Sequence, residues 1–139
     1  MKELENIDVK IIGIISEEIE SIEGTAFLKI PIKLNQRPPS EWVDIFNKNW
    51  RHPSQFTSRH KPSIASLRND IILLHETTVE EIQEYHKETL IVVVEDTNTE
   101  YNNWVNSELA RIEKQKKEVE FILDNVKKQQ EAAKKIKFD

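Results

Sequence analysis

Four histidines, His52, His60, His75 and His86, are the only side chains of this 139-residue sequence that both titrate near neutrality and offer a neutral nitrogen to a metal ion. No two of them stand four apart, the spacing that lets a helix aim a pair at one ion, and no His-Glu-x-x-His pattern occurs. His52 and His60 share an unpatterned segment, which is too loose a frame for a metal site, so neither metal nor cofactor is expected. The sequence contains no Cys, which removes thiol nucleophiles, disulfides and thiolate zinc sites. The nearest approach to a general base among carboxylates is His75-Glu76, followed after Thr77-Thr78 by Glu80 and Glu81. Acids in that position are accounted for by the positive end of a helix dipole, and no catalytic residue is assigned.

A second cluster has the chemistry of anion recognition. Trp50, Arg51, His52, Arg59, His60 and Lys61 surround Phe56, and cations interleaved with rings can grip a phosphate and stack a base. The cations are few against the many phosphate contacts that nucleic-acid affinity demands. A phosphate ligand or nucleic acid is therefore the alternative reading of this loop. The simpler one is that Trp50 and Phe56 belong to a core while the cations meet acidic partners in the same chain.

Charge distribution supports the simpler reading. The formal net charge is -5, yet residues 35–68 hold six Lys/Arg against two Asp/Glu, and residues 69–100 hold one against nine. Two such blocks neutralise each other on folding. The longest apolar runs, Ile11-Ile12-Gly13-Ile14-Ile15 and Leu90 to Val94, fall far short of the ~20 residues that cross a bilayer. With acidic residues at the N-terminus and no Cys, the expectation is a cytoplasmic protein without a membrane partner. Two glycines are too few for a glycine-rich phosphate loop.

These clusters must be held by elements that the sequence marks out. Residues 8–16 are rich in β-branched side chains and read as a strand. In Leu28-Lys29-Ile30-Pro31-Ile32-Lys33-Leu34 the apolar residues alternate, which predicts a strand with one buried face. Pro31 lacks an amide donor, so that strand should lie at an edge or turn the residue away from any neighbour. Trp42, Val43, Ile45, Phe46 and Trp50 define one face of a helix over 39–50. Residues 51–62 lack periodicity and read as a loop. Ser63 to Leu67 and Ile71 to His75 flank Arg68-Asn69-Asp70 as a hairpin.

From Thr78 a capping pattern, Thr78-Val79-Glu80-Glu81, opens a helix. Steps of seven from Val105 land on Ile91, Asn98, Ile112, Val119, Val126 and Ala133, of which only Asn98 is polar. That shared phase predicts a helix from about 79 to 135, kinked near His86 to Thr89, in preference to a strand at 90–95. Its first half carries bulky groups fit to cover a sheet. Its second half carries a thinner stripe, Ile112, Val119, Ile122, Leu123 and Val126, among Lys and Glu at i,i+4.

The expected fold is α+β: a small antiparallel sheet, one short helix packed on it, and a long C-terminal helix that extends beyond the domain. Residues 1–110 form the domain, and 111–139 a charged extension able to form a coiled coil. In heptad terms the a positions are apolar and mostly β-branched, as in two-stranded parallel coils, while half of the d positions are polar. The expected function is a non-enzymatic interaction protein. It would self-associate, or bind another protein, through Ile112, Val119, Ile122 and Val126.

Overall fold

A computed structural model of the protein describes residues 4–138. It divides into two compact units: Glu5–Asn103, and a second that contains the described residues from Trp104 onward. The first unit holds strands β1 (Ile11–Ile14), β2 (Glu20–Ser21), β3 (Leu28–Leu34), β4 (Ala65–Arg68) and β5 (Ile71–Thr77), with helix α1 (Ser40–Arg51) between β3 and β4. Helical backbone then runs without a break through α2 (Val79–Glu81), a π turn (Ile82–His86) and α3 (Lys87–Lys134). The fold is α+β, with a small antiparallel sheet, a short helix and a long C-terminal helix. Residues 90–95 are helical, as the seven-residue phase requires, and no described helix is long and apolar enough to cross a membrane.

The sheet is antiparallel in the order β1-β3-β5-β4, with β2 pairing β3 as well. Alternation along β3 buries Ile30, Ile32 and Leu34, and β5 adds Ile72 and Leu74. The core is completed by Trp42, Phe46 and Trp50 of α1, and by Leu90, Val93, Val94 and Tyr101 of α3. The helix expected over 39–50 and the loop after it are both present.

An edge position for the Pro31 strand is not what forms, because β3 is paired on both sides. Its partners explain how. Ile14 lies opposite Ile32 and Glu20 opposite Lys29, so Pro31 faces the interval between β1 and β2, which is filled by a 3-10 turn at Ser16–Glu18. The Pro31 carbonyl accepts from Ile15 N–H at 3.0 Å, and the donor that proline lacks would have pointed into a gap in the ladder. The hairpin also forms, with a two-residue turn: Arg68 pairs with Ile71, and Asn69 takes a left-handed φ of 57°.

Near its end, β5 carries one residue more than β3 opposite it, since Leu28 pairs with Thr77 and Ile30 with Leu74. The surplus is accommodated by Glu76 in the left-handed region, φ 53°. Thr78 then caps the helix, its Oγ1 accepting from Glu81 N–H at 3.1 Å.

Two asparagines tie the N-terminal segment to α3. Asn98 accepts from Val9 N–H at 3.1 Å and donates to Val9 O at 2.9 Å; Asn102 does the same for Ile7, at 2.8 and 2.9 Å. Each side-chain amide imitates a β-bridge to the backbone. Spacing of four on the helix matches spacing of two on the extended chain, about 6 Å in each case.

Candidate functional site

Two places carry unexplained chemistry. The first lies where α1, the 52–62 loop and the π turn meet, all within the Glu5–Asn103 unit. Trp50, on the buried face of α1, is 1% exposed and donates from Nε1 to Lys61 O at 3.2 Å. Its ring meets His60 edge-on with centroids 4.5 Å apart, and His86 at 6.3 Å. His60 in turn contacts the Trp50 carbonyl through Nε2 at 2.7 Å. Since a carbonyl can only accept, Nε2 donates this bond, and Nδ1 is buried without a hydrogen-bond partner.

His86 is more isolated still. It is fully buried, and neither ring nitrogen has a hydrogen-bond partner. Burial holds its imidazole below the usual histidine range; the Glu81 carboxylate opposes that shift, while Lys61 and His60 reinforce it. Lys61 bridges the cluster, pairing with Glu81 at 3.3 Å and donating to Glu76 O at 2.9 Å. Its ammonium also sits 4.4 Å from the centre of the Phe27 ring.

The six loop residues named as an anion site are therefore divided by the fold. Trp50 is a correction: it is core, with its ring against two histidines, and presents no free face for a base. His60 and Lys61 are turned to internal partners. Arg51, His52 and Arg59 are exposed, and among the described residues the two arginines enter no ion pair. Arg59 lies 5.7 Å over the Tyr85 ring, and Phe56 is largely exposed beside His60. The basic and acidic blocks do meet, through Lys48–Glu100 at 2.8 Å and Lys61–Glu81. His75 bonds Ser66 across the hairpin at 3.3 Å. Among the described residues, no three His, Asp or Glu are grouped to hold a metal ion.

His86 had a sequence signal that the histidine spacings concealed. It stands midway between Ile82 and Leu90, four residues from each, on the buried face of the helix. What a one-dimensional reading lacks is the π turn, which lets this run of fours stay on one side.

The second place is the helix beyond Trp104. Every residue from Leu109 to Phe138 is exposed. Ile112, Val119, Ile122 and Val126, with Leu123 beside them, form one stripe and are 45–62% exposed. Arg111 is paired within its own helix to Glu108 at 2.9 Å and bonds Gln115 at 3.3 Å; Lys117 pairs with Glu113. Phe121, 74% exposed, is an apolar residue that the heptad reading passes over. It stands about 200° round the helix from Val119, away from the stripe.

Comparison of the chain with family models, with curated proteins and with solved structures gave no match. Function must be argued from these two places.

Proposed function

We propose that this is a non-enzymatic interaction protein which assembles with a second copy of itself through the C-terminal half of α3, as a two-stranded parallel coiled coil. One observation carries the reading: α3 is exposed from Leu109 to its end at Lys134 and keeps Ile112, Val119, Ile122, Leu123 and Val126 in line along one side. β-Branched side chains at the a positions Ile112, Val119 and Val126 favour the two-stranded parallel form. In that form Gln115 meets Gln115 of the second copy and Gln129 meets Gln129, so the two polar d positions beyond Leu109 each have a partner able to both donate and accept.

Magnitudes bound the affinity. Burying the exposed half of five such side chains on each of two helices yields on the order of 10 kcal/mol. Association costs a comparable amount in lost freedom, on the order of 4–15 kcal/mol. The two nearly cancel, leaving at most about 6 kcal/mol, so the dimer is weak and reversible and dissociates on dilution at tens of micromolar or above. Sedimentation equilibrium tests it. Val119→Glu with Val126→Glu places four charges in the seam and is expected to give monomers with the near-ultraviolet spectrum of the sheet unit intact. An unchanged mass would overturn the assignment.

A second reading attaches to the loop, because Arg51 and Arg59 are exposed and enter no ion pair among the described residues, and Arg59 lies over the Tyr85 ring. It makes the protein a weak binder of phosphate-bearing ligands. Arg59→Ala should then lower affinity for a single-stranded RNA at low salt and flatten its salt dependence. Failure of the unsubstituted protein to bind such RNA at low salt would remove this reading.

A further inference from the structure

We propose that His86, sealed beneath Trp50 and His60 at the π turn, is an acid-responsive latch whose protonation opens the turn and releases the loop that carries His52 to Lys61. Three buried nitrogens without partners, Nδ1 of His60 and both ring nitrogens of His86, lie in one cluster. Buried polar atoms are nearly always satisfied, so a concentration of exceptions in one cluster calls for an explanation. Two backbone features adjoin it: the π turn Ile82–His86 itself, a helix form that recurs at functional positions, and the left-handed Glu76.

The neutral His86 ring leaves one N–H and one lone pair unsatisfied. The cation would leave two N–H groups without acceptors in an enclosed site. The groups that face it are few. Glu81, on the same helical stretch, favours the cation but is already engaged by Lys61 at 3.3 Å. From the loop, Lys61 and His60 disfavour it; α1 contributes only the uncharged Trp50. Water, reached by opening, is the better solvent for the charge.

What opens is defined by what the cluster fastens. The Trp50 to Lys61 bond, the His60 to Trp50 bond, and the Lys61 contacts with Glu76 and Glu81 pin the loop to α1, to the end of β5 and to the helix start. The β3–β5 ladder has its own hydrogen bonds and buried residues, so it can persist while the latch is open.

The direction in pH follows from linkage. The closed state holds the His86 imidazole below its usual value of about 6.5, which the open state regains. Above that value both states are neutral and nothing changes. As pH falls below it, the open state takes up the proton first, and the closed state loses tenfold in its population ratio for each unit that separates the two values, until the closed-state value is reached.

Native-state hydrogen exchange on the full chain tests the latch. Between pH 7.5 and 5.0, protection factors of amides in 82–90 and of the Trp50 indole N–H are expected to fall, by up to about thirtyfold, with β3–β5 amides unchanged. His86→Phe, which fills the site without a titrating group, is expected to abolish that fall. The latch is overturned by protection that does not change with pH, by an equal fall in His86→Phe, or by loss of β3–β5 protection in step, which is global acid unfolding. Should His86→Phe fail to fold, the His86 imidazole C–H resonance of the unsubstituted protein decides instead. Titration below 6.5 that tracks the loss of protection supports the latch, and titration at or above 6.5 overturns it.

Discussion

Asn98 is the residue that most rewards a physical account. Placed on an otherwise apolar a series, it reads as a flaw in the helix face, yet its amide makes three hydrogen bonds: Oδ1 accepts from Val9 N–H and from Trp42 Nε1 at 2.9 Å, and Nδ2 donates to Val9 O. Val9 and Trp42 are almost wholly buried, so water cannot replace these bonds. Asn98→Leu keeps the volume and the helix propensity but strands two donors and one acceptor. We expect a loss of about 2–3 kcal/mol, from the cost of leaving buried polar groups unpaired after part of the strain relaxes. Urea denaturation would measure it; a change below about 0.5 kcal/mol would show that the amide is not what holds the N-terminal segment. Asn102 carries the same pair of bonds to Ile7. Neither role can be read from hydropathy, because the pattern records only that a polar residue is out of phase and says nothing of the strandless backbone beside it.

At the scale of elements, legibility followed the source of each constraint. Period-two alternation in Leu28 to Leu34 and the seven-residue phase through Val105 are local, and both yielded the element that forms. Leu90 to Val94 shows that phase outweighs propensity: five strand-prone residues are helical because their neighbours on both sides bury the same face. Pro31 shows the opposite case, since its tolerance in an interior strand depends on a gap left by β1 and β2, elements separated from it by a turn. The π turn was legible only as an expected kink near His86, because one surplus residue in a helix has no signature in composition. Thr78, by contrast, was read directly, and its hydroxyl caps the Glu81 amide. Thr78→Ala should cost about 1 kcal/mol. Because the cap begins the stretch that holds Glu81 against Lys61, amide exchange at 79–86 should rise more than in β5; uniform loosening of both would assign the hydroxyl a global rather than a local role.

At the scale of the molecule, the two units differ in how their backbone is supported. Of the buried apolar residues, all but Val105 belong to Glu5–Asn103, so that unit has a core of its own. The helix from Leu109 to Lys134 has none, and in water it is supported only by its own propensity and by Lys and Glu pairs worth about 0.2–0.5 kcal/mol each. If a second copy covers the stripe, helix content and association must be linked: dilution of the protein a hundredfold from about one millimolar should lower ellipticity at 222 nm, while the near-ultraviolet signals of Trp42 and Trp50 stay fixed. Phe121 supplies the control, because it stands on the side of the helix that a two-stranded seam leaves in water. Phe121→Ser should leave the dilution curve in place, whereas Val119→Glu with Val126→Glu should give the dilute, low-ellipticity form at every concentration. A curve that moves with Phe121→Ser would mean that the partner lies on the other face. Ellipticity independent of concentration would mean that intrahelical pairs such as Arg111–Glu108 sustain the helix alone, and the apolar stripe would then need a partner other than a second copy.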